Sequence, residues 1–329
     1  MIKIGVTMGD PAGVGYEISA KAIAKLKPGL GENKITLIGN LNQFRNVLKI
    51  LKLREKDVMH EQNISFYDIE GKSVGFGEVQ KEAGKISYNS FYEAIKLALD
   101  KEIDAIVTGP INKESWQAAG SKYIDHTTML SELTNSKDVS TIFEVKKLRI
   151  IFLTKHMSLS DAVKFIKKGN VVKGIDSAVA AVKLLGIKRG FVAVAGLNPH
   201  SGEGGLFGNE EINEIIPAIK EYKHANKYGN IYGPIPADSV FHLASLGKYD
   251  IVLSLYHDQG HIAAKTYDFY KTVSLNLGAP FLRTSVDHGT AFDIAGKGIA
   301  NEISMVEAIK KALRYAKIYR ENYLKFSSQ

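Results

Sequence analysis

Three short apolar, β-branched runs in this chain each end in a loop that carries a histidine. They are residues 148–156 (LRIIFLTKH), 190–200 (GFVAVAGLNPH) and 250–265 (DIVLSLYHDQGHIAAK). Runs of this length and composition are typical of buried strands. Because ligands of parallel sheets bind outside the carboxyl ends of the strands, we expect His156, His200 and His257 to meet at one sheet edge. Three neutral imidazoles at one edge predict a divalent-metal site.

Strand-like runs alternate with amphipathic segments along the whole chain, which predicts an α/β fold with mostly parallel sheets and helices on both faces. At 329 residues, the chain is long enough for two α/β/α lobes, and we expect the active site in the cleft between them. The predicted lobes are residues 1–128 with 275–329, and residues 129–274. The segment 278–285, which carries Arg283, is expected to be a loop.

The composition narrows the classes of ligand. The 43 basic and 35 acidic residues give a net charge of +8, which suits anionic ligands, but no stripe of arginines and aromatics predicts nucleic-acid binding. Without cysteine, any metal must be held by histidine, carboxylate or water. No apolar run approaches the roughly 20 residues that span a bilayer, and the N-terminus lacks the apolar region of a signal peptide. We therefore expect a cytoplasmic protein without membrane partners.

Two glycine-rich segments leave their role open. GDPAGVG at residues 9–15 follows a strand and precedes a helix, where backbone N–H groups can hold a phosphate. It lacks the third glycine of a dinucleotide fingerprint and the Walker lysine, so a ligand loop and a plain tight turn remain equal alternatives. The glycines at 202–208 resemble a loose dinucleotide loop, but no acidic partner follows at the expected distance.

Several polar residues lie where helices are expected to begin. His126 and Thr127 precede a helix and are suited to meet an oxyanion, although the favoured interpretation makes Thr127 or Thr128 a helix N-cap. Asp238 is expected to be either an N-cap or a partner that orients a metal-binding histidine, and Asp258 is a candidate for the same orienting role.

His257 and His261 have the i, i+4 spacing of the zinc-hydrolase motif H-E-x-x-H. That motif requires a continuous helix and a glutamate base. Here we expect His257 to end a strand and Gly260 to weaken any helix, so His261 is excluded from the predicted site.

The motifs together resemble the 4-hydroxythreonine-4-phosphate dehydrogenase family of vitamin B6 (pyridoxal phosphate) biosynthesis. They are GDPAGVGYE, TGPINK, DHTTML, LTKHMSL, LNPHSGEGGLFGNEE, GPIPADSVF, YHDQGH and LGAPFLRTSVDHGTAFDIAGKG. The last of these and the residues after it are also similar to the adenosine-binding segment of isocitrate and isopropylmalate dehydrogenases. The resemblance therefore implies their fold, NAD or NADP as cofactor without a Rossmann fingerprint, and a homodimer with a shared active site.

Carried over by motif, the resemblance assigns roles to individual residues. The implied metal ligands are His156, His200 and His257, and the implied cofactor contacts are His288, Gly289 and Asp293. The implied substrate contacts are His126, Thr127, Lys265, Ser274 and Arg283, with Lys265 also the candidate proton acceptor. The family has an asparagine at the position of Ser274, and Asn276 follows two residues later, so either residue is a candidate for that contact.

The implied reaction is the oxidation of 4-phosphooxy-L-threonine to 2-amino-3-oxo-4-(phosphooxy)butanoate, which decarboxylates to 3-amino-2-oxopropyl phosphate on the route to pyridoxine 5'-phosphate. It requires one divalent ion (zinc, magnesium, cobalt or manganese) as a Lewis acid. The nearest alternative is a sister dehydrogenase for a four-carbon sugar-acid phosphate such as threonate or erythronate 4-phosphate. A metal-dependent hydrolase and a non-catalytic protein that binds phosphorylated metabolites are the remaining alternatives.

Overall fold

The computed structural model describes residues 1–59, 62–226 and 230–327. The strands are β1 (Lys3–Thr7), β2 (Lys34–Gly39), β3 (Ile64–Asp68), β4 (Ala105–Thr108), β5 (Ser140–Val145), β6 (Leu148–Phe152), β7 (Val192–Ala195), β8 (Ile231–Ile235), β9 (Ile251–Ser254), β10 (Val273–Leu277) and β11 (Leu282–Val286). The helices are α1 (Gly15–Leu26), α2 (Leu41–Ile50), α3 (Glu55–Val58), α4 (Lys81–Leu99), α5 (Lys113–Ala118), α6 (His126–Leu133), α7 (Leu159–Phe165), α8 (Lys168–Leu184), α9 (Ile216–Asn226), α10 (Ala237–Ser245), α11 (His257–Tyr267) and α12 (Ile303–Ser327).

The chain divides into two compact units. Unit 1 comprises Met1–Val139 and Val273–Gln329, and unit 2 comprises Ser140–Thr272. The first boundary lies later than the predicted one at residue 128. The reason is packing: Met129 and Leu130 of α6 belong to the same buried cluster as Phe91 and Trp116 of unit 1. The second boundary lies two residues before the predicted one.

Unit 1 contains a six-stranded run in the order β3-β2-β1-β4-β11-β10. The pairs β3–β2, β2–β1, β1–β4 and β4–β11 are parallel, and only β10 runs antiparallel to its neighbour β11. The central strand β4 is buried at every position, as expected for a parallel strand covered on both faces.

Unit 2 contains the order β5-β6-β9-β7-β8. β5 and β6 form an antiparallel hairpin, whereas β6, β9, β7 and β8 are parallel to one another. Every residue of β6, β7 and β9 is buried, which explains their mostly apolar sequences. The predicted class, a mostly parallel α/β fold, is confirmed.

Two predicted loops are regular elements. Residues 282–286 form the fully buried strand β11, parallel to β4, instead of a loop. The polar residues of this strand do not give the apolar pattern of a buried strand, because their side chains have hydrogen-bonding partners inside the protein. Residues from His257 onward form the helix α11, and Gly260 lies inside it. A Cβ atom on Gly260 would stand 2.6 Å from Phe152 Cε1, so this glycine allows close helix–strand packing and does not break the helix.

Among the described residues, no helix is both long and apolar enough to cross a membrane.

The packing of α4 on α5 yields a stability prediction. A Cβ atom on Gly84 of α4 would lie 1.8 Å from the Ser115 carbonyl oxygen, so Gly84→Ala must push two backbones apart. We expect the free energy of unfolding to fall by about 3 kcal/mol or more. Gly169 near the start of α8 has no atom within 4 Å of such a Cβ, so Gly169→Ala is the matched control. Equal denaturation midpoints for the two variants would contradict the packing described here.

Candidate functional site

The three histidine-bearing loops of unit 2 follow neighbouring parallel strands. β9 pairs with β6 through Leu253 and Ile151, and with β7 through Leu253 and Val194. The carboxyl ends of parallel neighbours lie at the same edge of a sheet. His156, His257 and His200 therefore follow β6, β9 and β7 at one edge, with His257 on the central strand's loop.

His156 and His257 lie near each other at this edge. Their ring centroids are 5.9 Å apart, and both line a pocket of about 250 Å3 together with Thr154, Tyr256 and Asp258. His257 Nδ1 is 2.6 Å from Asp258 Oδ1. With Nδ1 donating to this carboxylate, the lone pair of Nε2 is free to bind a ligand, which is the usual arrangement of a metal-binding histidine. This donor set fits a divalent transition metal.

His200 lies in a left-handed turn. Residues 200–204 all have positive φ, and three of them, His200, Ser201 and Glu203, are not glycine. Each such residue costs roughly 1–2 kcal/mol of backbone strain, and strain of this kind is concentrated at functional sites. The His200 side chain is 63% exposed, and its nearest charged neighbour is Glu203, 3.9 Å from Nδ1. Over the described ranges, no three His, Asp or Glu side chains form a ready metal-binding group.

His261, which the sequence analysis excluded, packs directly on His257. The two rings are parallel within 14° with centroids 3.7 Å apart, and Phe143 and Phe152 flank His261 on its other sides at 4.3 and 4.6 Å. Burial, followed by the charges of His257 and Lys265, lowers the pKa of His261 to about 4. The premise that the helix is broken was wrong, since α11 is continuous and carries His257, His261 and Lys265 on one face at four-residue spacing. The residue after His257 is nevertheless an aspartate and not the glutamate of the motif, so the exclusion of His261 from the site stays a prediction.

Unit 1 contains a buried cation. The Arg283 guanidinium on β11 donates to Thr108 Oγ1 from Nε and Nη2, at 3.1 and 2.7 Å, and to Asn276 Oδ1 from Nη1. Burial lowers the pKa of Arg283 to about 9, an effect that the charge of Asp125 partly offsets, so the group remains positive at neutral pH. The hydrogen-bonding partners are both neutral. A cation held in this way is suited to an anionic ligand.

His126 lies beside this cation. It is 7% exposed, its ring packs edge-on against Phe91 and Trp116, and its buried Nε2 has no hydrogen-bond partner within the described part of the chain. Burial and then the charge of Arg283 hold the pKa of His126 well below its usual range, so the imidazole is neutral. A buried nitrogen without a partner is suited to a hydrogen bond from or to a ligand.

The N-cap of α6 is Asp125, not Thr127 or Thr128. Asp125 Oδ1 accepts hydrogen bonds from Thr128 N at 2.8 Å and Thr128 Oγ1 at 2.9 Å. The expected cap was wrong because Asp125, two residues before Thr127, already satisfies the first turn. Thr127 is thereby released from capping, and Asn276 Nδ2 approaches its hydroxyl at 3.5 Å.

The structure separates the two candidates for the asparagine contact. Asn276 is 1% exposed and lies opposite Arg283 in the β10–β11 ladder, bonded to both Arg283 and Thr127. Ser274 lies two residues away on the same face, half-buried and opposite Ser285. Asn276 therefore contacts Arg283 and Thr127, whereas Ser274 lies two residues away along the strand.

The cofactor residues taken from the resemblance lie in the loop after β11. Gly289 and Asp293 are exposed, and His288 Nδ1 is 2.9 Å from the Gly289 carbonyl oxygen. This loop contacts the first glycine-rich loop, because Val14 N donates to Thr290 O at 3.0 Å and a Cβ on Gly13 would be 2.8 Å from Thr290 Cβ. The two loops form one surface at the start of α1.

Asp238 does not cap α10. The cap position is Pro236, and Asp238 is exposed in the first helical turn, where its charge complements the helix dipole. The N-cap alternative is therefore wrong, and the orienting role stays a prediction.

Sequence reasoning missed two residues that hold the histidine loops. Gln259 of α11 accepts from Leu255 N and donates to the Gly196 carbonyl oxygen, both at 2.8 Å. Glu211 is 1% exposed, and its Oε1 accepts from Leu197 N at 2.7 Å and Asn198 N at 2.8 Å. The only hint of Glu211 in the sequence was an acidic residue at a helix position that is expected to be apolar. That hint points to a role for the residue only once its burial is known.

Solved structures place this fold in a class of dehydrogenases. The 4-hydroxythreonine-4-phosphate dehydrogenase from Klebsiella pneumoniae superposes with a TM-score of 0.84 at 36% identity, covering 96% of this chain and 100% of that one. The fold and the oxidoreductase class expected from the resemblance are confirmed at this level.

The family follows from the sequence comparisons. The family model described as "Pyridoxal phosphate biosynthetic protein PdxA" matches residues 26–312, and the chain belongs to this PdxA family. A protein of Fusobacterium nucleatum named "Putative D-threonate 4-phosphate dehydrogenase" is 49% identical over 329 residues, covering 95% of this chain and 97% of that protein. A protein of the same name from Halalkalibacterium halodurans is 47% identical over 331 residues, covering 95% and 96%.

The neutral state of His126 predicts a pH dependence of stability. Its pKa is lowered on folding, so the unfolded chain binds the proton more readily and stability falls as the pH drops below about 6.5, by up to about 1.4 kcal/mol per pH unit from this group. We expect His126→Leu to flatten this part of the pH profile of unfolding. In 15N-detected imidazole spectra, His126 should remain neutral at pH 5.5. Protonation near pH 6.5 would contradict the burial that the structure shows.

Proposed function

We propose that this chain is an NAD- or NADP-dependent, divalent-metal-dependent dehydrogenase that oxidises the C3 hydroxyl of D-threonate 4-phosphate. The single observation that carries the choice of an anionic substrate is the buried Arg283, whose hydrogen-bond partners are neutral. The PdxA family match supports the dehydrogenase chemistry.

The anion-binding residues of unit 1 are proposed to hold the substrate's acidic groups. Arg283 presents a planar donor array that matches carboxylate and phosphate geometry, and its burial in a low-dielectric environment strengthens each contact. Neutral His126 and the Thr127 hydroxyl add donors without adding charge. Because the cation keeps its partners at fixed angles, it orients the ligand as well as attracting it.

The imidazoles of unit 2 are proposed to hold the metal. His156 and His257 are the two nearest rings, and Asp258 fixes the tautomer of His257. His200 is the third proposed ligand, on the loop of the next strand. His156, His200 and His257 would hold the divalent ion, which would supply Lewis acidity at the C3 hydroxyl, and a bound nicotinamide would supply the hydride acceptor.

Lys265 is the proposed acceptor of the hydroxyl proton. It lies two helical turns beyond His257 on the same face of α11, with its ammonium 4.9 Å from the Phe269 ring centroid. Loss of that proton and of hydride leaves a ketone β to the carboxylate. Such a β-keto acid loses carbon dioxide readily, so the proposed final product is dihydroxyacetone phosphate.

The surface formed by the loops around Thr290 and Val14 is the proposed cofactor site, with His288, Gly289 and Asp293 as its contacts. The backbone amides at the start of α1 suit a phosphate of the dinucleotide.

A homodimer remains part of the proposal. The exposed apolar side chains Ile262, Phe269 and Tyr270, which are 64%, 56% and 53% exposed, lie on α11 and directly after it. Exposed apolar side chains that lie close together in the sequence are candidates for an association surface.

Substrate choice is the finer part of the proposal. Curated relatives at 47–49% identity carry the name with D-threonate 4-phosphate, and this favours a C2 hydroxyl over the C2 amino group expected from the sequence. The second candidate is 4-phosphooxy-L-threonine, favoured by the 36% identical Klebsiella pneumoniae structure. The two substrates share the phosphate, the carboxylate and the C3 hydroxyl, so the chemistry is common to both.

The assay that tests the proposal measures NADH or NADPH absorbance with each substrate at equal concentration. We expect kcat/KM for D-threonate 4-phosphate to exceed that for 4-phosphooxy-L-threonine by at least about tenfold, and activity to vanish in chelator and return with zinc, cobalt, magnesium or manganese. A preference for the amino substrate would favour the second candidate. Full turnover after complete metal removal would contradict the role of the histidines.

The Arg283 assignment predicts a binding defect. Arg283→Lys keeps the charge and loses the planar array of donors, so we expect KM to rise about 10- to 100-fold with a smaller change in kcat. Arg45→Lys is the control, because Arg45 pairs with Glu55 at the surface with both side chains nearly half exposed. If both variants keep the wild-type KM, Arg283 does not bind the substrate.

A further inference from the structure

We propose that Glu211 is a positioning residue that sets the place of His200 by clamping the stem of its loop. This inference rests on the proposed role of His200 as a metal ligand. Glu211 lies in a π-helical turn, Glu211–Ile215, directly before α9, and such turns are frequent at functional sites.

The clamp is a buried carboxylate satisfied by the loop itself. Oε1 accepts from the backbone N–H groups of Leu197 and Asn198, and Oε2 accepts from Asn198 Nδ2 at 2.8 Å. These are the residues between the end of β7 and Pro199-His200. Glu211 is only 1% exposed, and these hydrogen bonds all go to one loop. They fix that loop strongly, because hydrogen bonds to a charged group in a buried environment are short and costly to break.

The far side of the same turn also touches Glu211. A Cβ atom on Gly202 would lie 2.9 Å from Glu211 Oε2, so the carboxylate fills the space under the left-handed turn. Gly202 has a φ of 82°, and the neighbouring His200 and Ser201 share the left-handed conformation. A turn with this strain is kept only where several surrounding contacts hold it in place. Glu211 makes such contacts both to the stem of the loop and to the turn itself.

Gln259 holds the opposite side of the stem. Its Nε2 donates to Gly196 O, one residue before the amides that Glu211 binds, while its Oε1 accepts from Leu255 N at the end of β9. Since Gln259 lies two residues after His257, the stem of the His200 loop is tied to the start of α11. Glu211 completes this arrangement from the other side, so the spacing of His200 and His257 depends on both residues.

The test compares Glu211→Gln with Glu214→Gln in the full chain. Glu214 belongs to the same π-helical turn but binds Lys167 and the backbone N–H of Lys168 at the surface, so its variant changes the same charge without touching the clamp. Asn198→Ser is a milder second variant, which removes the side-chain contacts to Glu211 Oε2 and Glu210 Oε2 and keeps the backbone amides that bind Glu211 Oε1.

Two readouts are measured. The first is the imidazole spectrum of metal-free protein, where we expect Glu211→Gln to shift or broaden the His200 signals and to leave those of His156 unchanged. The second is calorimetric binding of Mn2+, where we expect the Kd to rise about 10- to 100-fold, with lost turnover rescued by added Mn2+. Asn198→Ser should move both readouts in the same direction by less, and Glu214→Gln should match the wild type.

The outcomes separate the two proposals. A wild-type protein that binds no Mn2+ overturns the metal-dependent function, while the His200 signals still decide whether Glu211 positions the loop. Wild-type His200 signals in both Glu211→Gln and Asn198→Ser overturn the positioning role. A lowered melting temperature with unchanged Mn2+ affinity per folded molecule also overturns it, because that result describes a purely structural residue.

Discussion

The parallel pairing of β6, β9 and β7 is the constraint on which the unit 2 site depends. Because these three strands are neighbours with the same direction, the loops after them start at one sheet edge, and each carries a histidine. The strands are buried at every position, so packing in the core fixes the positions of their ends relative to one another. The variable part is the loops. His257 is fixed by α11 and Asp258, whereas His200 depends on a strained turn and on the residues that clamp it.

Unit 1 uses burial for a different purpose. Arg283 is 5% exposed and His126 7% exposed. Burial, and then the charge of Arg283, lowers the pKa of His126, so the histidine is neutral, whereas burial lowers the pKa of Arg283 only to about 9, so the arginine stays charged at neutral pH. In the proposed anion site, the Arg283 cation lies with the neutral imidazole of His126 and the amide of Asn276, and the charge of Asp125 also acts on Arg283. Among the described residues the hydrogen-bond partners of Arg283 are neutral, so an anion that binds there gains a charge-assisted contact in a buried environment. This favours phosphorylated acids over neutral ligands.

Much of this architecture was accessible from the sequence, because apolar runs and amphipathic segments report directly on burial. The helix that follows the glycine-rich segment 9–15 and the three strands that precede the histidine loops needed no tertiary information. The failures came where tertiary contacts decide local structure. Gly260 was predicted to weaken a helix, yet the close approach of Phe152 requires a glycine at this position. β11 was predicted to be a loop because its polar side chains have hydrogen-bonding partners far away in sequence. The clamp by Glu211 joins residues 13 and 14 positions apart through backbone groups, which no side-chain pattern records.

The central claim is that imidazoles from the edge of β6, β9 and β7 hold one divalent ion. X-ray absorption at the zinc edge, measured on protein loaded with one equivalent of zinc, tests it most directly. The account predicts an inner shell at about 2.0–2.1 Å that contains two to three imidazole nitrogens, with the imidazole scattering reduced in His257→Ala. A shell of oxygen ligands alone, unchanged by that substitution, would contradict it.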